Sequence, residues 1–180
     1  MERSELVDLI RGGVDPAAGP RWADLGAGTG NFTAALAELL GAGAEIVAVD
    51  RDGGALRALE AALADLPGLT LETRATDFTQ PLDLSDLDGV LMANSLHFVR
   101  DKEPVLAAVQ EMLRPGGALL VVEYDADRGN PWVPHPFSFA TWNQMAAAAG
   151  FTGTRLLAVR PSRHLGAMYA AASRRPAAPE

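Results

Sequence analysis

Apolar and polar positions along the chain follow two periods in turn, and the switches between them divide it into strands and helices. Glu45-Ile46-Val47-Ala48-Val49-Asp50 is a near-continuous apolar run closed by an acid, the pattern of a parallel strand buried on both faces. Comparable short runs predict strands over 21–25, 69–76, 88–94 and 118–124. Between them the spacing turns helical. Leu6, Leu9 and Ile10 share a face over 4–11, with Ser4 as N-cap, and Phe32, Leu36, Leu39 and Leu40 do so over 31–40. Leu56, Leu59 and Leu63 mark a helix over 53–65 capped by Asp52, and Leu106, Val109 and Leu113 a helix begun by Asp101, with Pro104 tolerated in its first turn. A further helix falls near 139–149. About ten residues separate Asp77 from the strand at 88–94, so a helix of only a turn or two is expected near 82–87.

Alternating strands and helices imply an α/β fold of the Rossmann-like, doubly wound kind, a parallel sheet with helices on both faces. Runs at 154–159 and 167–172 around Pro161–Gly166 read as a closing hairpin that adds an antiparallel strand. The expected organisation is one domain over 21–173, an N-terminal helix and linker over 1–20 that belong to it, and a frayed tail over 174–180. Residues 125–137, with Gly129, Pro131, Pro134 and Pro136, form the longest irregular stretch, as a lid would.

The stretch that organises the rest is Asp24-Leu25-Gly26-Ala27-Gly28-Thr29-Gly30-Asn31, a strand end running into a glycine turn that opens a helix. Glycines let the backbone turn sharply and let a ligand approach the main chain, and the helix start favours an anionic group. A dinucleotide fingerprint is G-x-G-x-x-G, but here the third fingerprint position is Asn31. Asp24 adds negative charge where a pyrophosphate would lie, which argues against a nicotinamide dinucleotide and for a ligand with a cationic end. No G-x-x-x-x-G-K-[ST] motif is present.

Composition narrows the field. The 180 residues carry a formal net charge of −8 with scattered basic residues, which argues against nucleic acid as a partner. No apolar run approaches the roughly 20 residues that span a bilayer, and Met1 to Glu5 lack the features of a signal peptide, so a cytoplasmic protein is expected. With no cysteine there is neither a disulfide nor a thiolate metal site, and the spacing of the histidines and acids predicts no metal.

Asp24-Leu-Gly-Ala-Gly-Thr-Gly30, with an acid at the next strand end, resembles the first motif of the class I S-adenosylmethionine (SAM)-dependent methyltransferases, and the resemblance to their type 11-like members runs from about Val14 to Met168. It implies a seven-stranded sheet, SAM as cofactor and S-adenosylhomocysteine as product. It also implies that the N-terminal helix closes over the cofactor, where the residues alone fit a helix that simply covers a sheet edge.

Asp50, about 20 residues beyond the glycine turn, is placed to accept both ribose hydroxyls, or else is an acid held by a helix dipole. The resemblance makes Asp50 the ribose ligand, Arg51 its adenine-side neighbour, and Asp77 and Phe78 the adenine contacts; the alternative for the last two is helix capping and core packing. Gly26, Ala27, Gly28 and Asn31 complete the cradle, with Asp24 beside them, either as a ligand or as a structural acid bonding the loop. Asn94 offers its carbonyl to an ammonium.

Asn94-Ser95-Leu96-His97-Phe98 lacks the Asn/Asp-Pro-Pro-Tyr/Phe signature of amino-group methylases. His97 is the best-placed general base, since imidazole titrates near neutral pH, though a plain loop residue fits equally. Tyr124, Trp132, His135, Phe137 and Trp142 are candidates for the acceptor side, with Tyr124 paired with His97 as the catalytic candidates. The reading that results is methyl transfer to a small-molecule acceptor. Its rivals are a SAM-binding partner without catalysis and, further off, a nicotinamide-dependent oxidoreductase, which the absence of a Tyr-x-x-x-Lys pair disfavours.

Overall fold

The computed structural model describes residues 2–177. A seven-stranded sheet runs in the order β3-β2-β1-β4-β5-β7-β6. Strands β1 (Arg21–Leu25), β2 (Glu45–Asp50), β3 (Thr70–Ala75), β4 (Leu87–Ala93) and β5 (Leu113–Tyr124) pair in parallel. β7 (Ala167–Arg174) lies antiparallel between β5 and β6 (Thr152–Pro161). The doubly wound sheet with its closing hairpin is thus the one the sequence predicts.

The central strands are buried on both faces, and their successive residues serve opposite cores. Trp22, Leu91, Leu120 and Val122 face the core beneath α1 (Arg3–Ile10) and α2 (Asn31–Leu40). Ala23, Val90, Met92, Leu119 and Val121 face the core beneath α4 (Glu103–Met112) and α5 (Phe139–Ala148). This is the period of two expressed on two apolar faces, which is why the strands read as continuous apolar runs. Helix α3 (Gly53–Leu63) packs Leu56, Leu59 and Leu63 in a smaller cluster with Ala27, Ala34 and Ala48.

Several local expectations change. Helix α1 is capped by Glu2 rather than Ser4: Glu5 accepts the Glu2 N–H at 2.7 Å, so an acid three residues on supplies the capping box. No helix forms over 82–87; the segment crosses extended, with Leu82 and Leu84 inserted against the α4 side core, because Pro81 and the short crossover leave no room for an amphipathic turn. Leu113 belongs to β5, not to the preceding helix. Lys102, not Asp101, occupies the N-cap position of α4, although Asp101 still accepts the Glu103 N–H at 3.2 Å. The expected frayed tail is partly tied down: β7 includes Arg174, and Arg175 exchanges backbone hydrogen bonds with Gly116 and Gly117. Residues 178–180 of that tail lie outside the described residues.

Candidate functional site

The carboxyl ends of β1, β2 and β4 meet at the glycine turn, as a ligand site in an open α/β sheet requires. The turn is held from below, where the Gly26 and Ala27 N–H groups both donate to the Val49 carbonyl, at 2.8 and 3.0 Å. Gly26 sits at φ +85°, and a Cβ there would collide with Ser95, whose hydroxyl donates to the Leu25 carbonyl at 2.7 Å. Glycine is therefore required by both conformation and space.

Two cavities flank this turn. One, of about 450 Å³, is lined by Gly26, Gly28, Asp50, Arg51, Asp77, Phe78 and Asn94, together with Thr79, Ser95, Phe98 and Val99. The other, of about 330 Å³, is lined by Asp24, Gly26, Ala27, Gly28, Asn31 and Asn94, with Leu6 of α1 on its wall. The ten residues singled out as cofactor candidates are thus brought to two adjoining hollows that share Gly26, Gly28 and Asn94.

Within the first cavity the carboxylates have definite local duties. Asp50 accepts the Gly28 N–H at 2.8 Å on one oxygen and the Asp52 N–H at 2.8 Å on the other. Each oxygen retains a further lone pair for a ligand hydroxyl. The helix cap proper is Asp52, which accepts from Gly54 and Ala55. Asp77 accepts both the backbone N–H and the hydroxyl of Thr79 on a single oxygen. These two bonds hold its carboxyl below the usual carboxylate range.

The second hollow contains two acceptors without partners. One oxygen of Asp24 takes the Thr33 hydroxyl at 2.7 Å, but the other oxygen, and the side-chain oxygen of Asn94, are buried with no hydrogen bond. Burial pushes the Asp24 carboxyl up to about 7; the Thr33 bond opposes this, and the negative charge of Asp50 adds to it. Asn94 adopts φ +53°, a left-handed conformation that Asn tolerates better than most residues. Orphaned buried acceptors are rare and call for a donor. A ligand ammonium supplies three.

The histidine of the β4 loop is built differently from the sequence expectation. His97 lies in a 3₁₀ turn, Leu96–Phe98, and is buried. Its backbone N–H donates to one oxygen of Glu123 at 3.1 Å, and its Nδ1 stands 2.8 Å from the other. Glu123 is wholly buried at the end of β5. A carboxylate facing two donors fixes the proton on Nδ1 and leaves the Nε2 lone pair free; among the described residues Nε2 has no hydrogen-bond partner. The Tyr124 and His97 rings meet in a T-shaped pair with centroids 5.5 Å apart, and His164, from the turn between β6 and β7, pairs likewise with Tyr124 at a centroid separation of 6.5 Å. Burial and the nearby Glu123 charge raise the Tyr124 phenol. Neither His97 nor Tyr124 lines the two hollows, but His97 lies between Ser95 and Phe98, which do.

The 125–137 segment is an ordered strap. Asp125 accepts from the Phe139 N–H, Asp127 from Ser138 and Thr141, and Asn130 donates to the His164 carbonyl. Of its aromatic candidates, Phe137 and also Trp142 of α5 pack in the core 5.8 Å apart rather than facing an acceptor, whereas Trp132 is 75% exposed. Glu123, Lys102 and His164 are the residues sequence reasoning missed. An acid inside the otherwise apolar run Leu119–Tyr124 is the signal that marked Glu123.

Comparison with known proteins agrees with this geometry. Residues 23–119 match the family model described as "Methyltransferase domain", and the chain belongs to that family. An uncharacterised methyltransferase of Mycobacterium tuberculosis is 40% identical over 118 residues, 66% of this chain and 45% of that protein. The ubiquinone/menaquinone biosynthesis C-methyltransferase UbiE of Teredinibacter turnerae is 36% identical over 114 residues, 62% of this chain and 45% of that protein. The chain therefore spans about half the length of the curated relatives it matches. A SAM-dependent methyltransferase of Methanosarcina mazei shares the fold with a TM-score of 0.74 at 16% identity, covering 94% of this chain and 97% of that one. No helix among the described residues is long and apolar enough to cross a membrane.

Proposed function

We propose that the protein methylates a small-molecule acceptor that must lose a proton as it reacts, a carbon or oxygen acid, with His97 as the base. The observation that carries this reading is the buried Glu123–His97 pair, which holds the imidazole in one tautomer with Nε2 unengaged. A solvated loop histidine needs no such partner. UbiE is named a C-methyltransferase, a chemistry of the same kind.

The residues of the two hollows fit SAM. Asp50 takes the ribose hydroxyls, Arg51, Asp77 and Phe78 border the adenine, and the orphaned oxygens of Asp24 and Asn94 receive the ammonium of the methionyl end. Gly26, Ala27, Gly28 and Asn31 let the ligand lie close to the main chain. SAM supplies an electrophilic sulfonium methyl, which the acceptor takes by in-line displacement. The chain aligns the acceptor and removes its proton: His97 receives it at Nε2, and Glu123 steadies the imidazolium through Nδ1–H. Tyr124 and His164 border the acceptor, and Trp132 and Phe98 offer it exposed aromatic faces.

The test is methyl transfer from tritiated-methyl SAM to a panel containing a quinol, a phenol, a β-dicarbonyl, a thiol and a primary amine. Transfer to the carbon or oxygen acids is expected, falling about 100-fold or more in His97→Asn, the range a positioned base contributes. Equal turnover by wild type and His97→Asn would overturn the reading.

A further inference from the structure

The side chain of Lys102 is buried against the loops that follow β4 and β5. Its Nζ donates to the Val99 carbonyl at 2.8 Å and to the His135 carbonyl at 3.1 Å, and stands 5.0 Å from the Phe137 ring centroid. Both carbonyl partners connect to the site. Val99 lines the 450 Å³ cavity, and the His135 N–H donates to the His97 carbonyl at 3.0 Å. One ammonium therefore ties the turn that carries His97 to the strap that borders the acceptor.

Stability alone gives a poor reason for this arrangement. Burying an ammonium against two carbonyls costs solvation that an apolar side chain of the same length avoids. Burial lowers the Lys102 ammonium below its usual range, while the charges of Glu123 and Asp101 act to keep it protonated. The second of those carboxylates is an exposed neighbour; the first is the partner of His97.

We infer that Lys102 is a positioning residue: it clamps the His97 turn to the 130–137 strap and sets a fixed positive charge beside the Glu123–His97 pair. This rests on the reading of His97 as the base. The charged and titratable groups that meet the pair or act on its carboxylate are Tyr124 from β5, Tyr169 opposite Glu123 on β7, Lys102 at the start of α4 with Asp101 beside it, His135 from the strap and, behind Tyr124, His164. Lys102 is the buried cation among them. A nearby positive charge opposes protonation of an imidazole, so its removal moves the imidazole titration to higher pH.

The experiment is an NMR titration of the histidine rings in the 180-residue chain with S-adenosylhomocysteine bound, with His97→Asn assigning the signal. Three variants separate the contributions. Lys102→Met loses charge and donor, Lys102→Gln keeps a donor without charge, and Lys102→Arg keeps both. The His97 midpoint is expected to move to higher pH in the Met and Gln variants and to return in the Arg variant. Calorimetric affinity for S-adenosylhomocysteine should stay within about threefold of wild type. Should Lys102→Met fail to fold, Lys102→Gln carries the test. A His97 midpoint unchanged in the Gln variant, or moved equally by Arg, would show a packing staple and overturn the inference. The readout needs no acceptor, so it stands apart from the turnover test: an active His97→Asn enzyme sinks the base and leaves the titration result in place.

Discussion

The proposed cofactor side and the proposed acceptor side of this site are assembled on opposite plans. The cofactor cradle lies largely within one strand–helix–strand unit, β1-α2-β2, where Thr33 meets Asp24 and Gly28 meets Asp50. The acceptor side needs three separated segments: the turn after β4, the end of β5 with its strap, and the turn between β6 and β7. The first depends on backbone shape, which glycines impose locally. The second depends on a buried ionisable pair, which forms only when the sheet has closed. Loss of a single group should therefore damage the two sides in different currencies, binding on one and stability or turnover on the other.

The largest effect is expected at Glu123. Its replacement by Ala leaves the His97 N–H and Nδ1 unpaired in the core and should lower stability by about 3 kcal/mol. For a chain of this size that is a fall in Tm of roughly 10 °C, read by calorimetric melting. Glu123→Gln, which keeps the shape, should lose less than half as much. On the cofactor side, Gly26→Ala combines a positive φ with a collision against Ser95 and should weaken SAM binding about 100-fold. A variant that binds as well as wild type would show that the turn is plastic and the contrast false.

A smaller effect sharpens the comparison through pH. The Asp24 carboxyl titrates at about 7 in the folded protein, above its unfolded value of 3.8. The folded state therefore holds the proton more tightly. The stability this contributes is present below about pH 4 and is lost as pH rises through about 7. An incoming ammonium prefers the ionised carboxylate, so SAM affinity should rise about tenfold from pH 6 to pH 8. Asp24→Asn should flatten both dependences, by melting and by calorimetry; a slope that survives in that variant assigns the proton elsewhere.

The same contrast decides what the sequence reveals. The strands, the closing hairpin and the convergence of Gly26, Asp50 and Asn94 on one end of the sheet are legible in the sequence, because apolar runs, glycine spacing and strand-end acids are local signals. Asp50 and Asp77 were read for their ligands, but not for their bonds to Gly28, Asp52 and Thr79, which depend on loop geometry. The missing helix at 82–87 shows a limit of another kind: the alternation rule supplied an element that eleven residues with Pro81 cannot form. His97 was legible as a candidate, whereas Glu123 was hidden in an apolar strand. Lys102 gave no signal of its own, because only the fold brings Val99, His135 and Phe137 around it.

The central claim is that cofactor binding and proton removal reside in separable groups. Calorimetric titration of wild type, Asp50→Ala and His97→Asn with SAM, run in parallel, tests it most directly. Asp50→Ala should bind at least tenfold more weakly, and His97→Asn within about threefold of wild type. If His97→Asn loses affinity as Asp50→Ala does, or Asp50→Ala binds unchanged, the division between the two sides is contradicted.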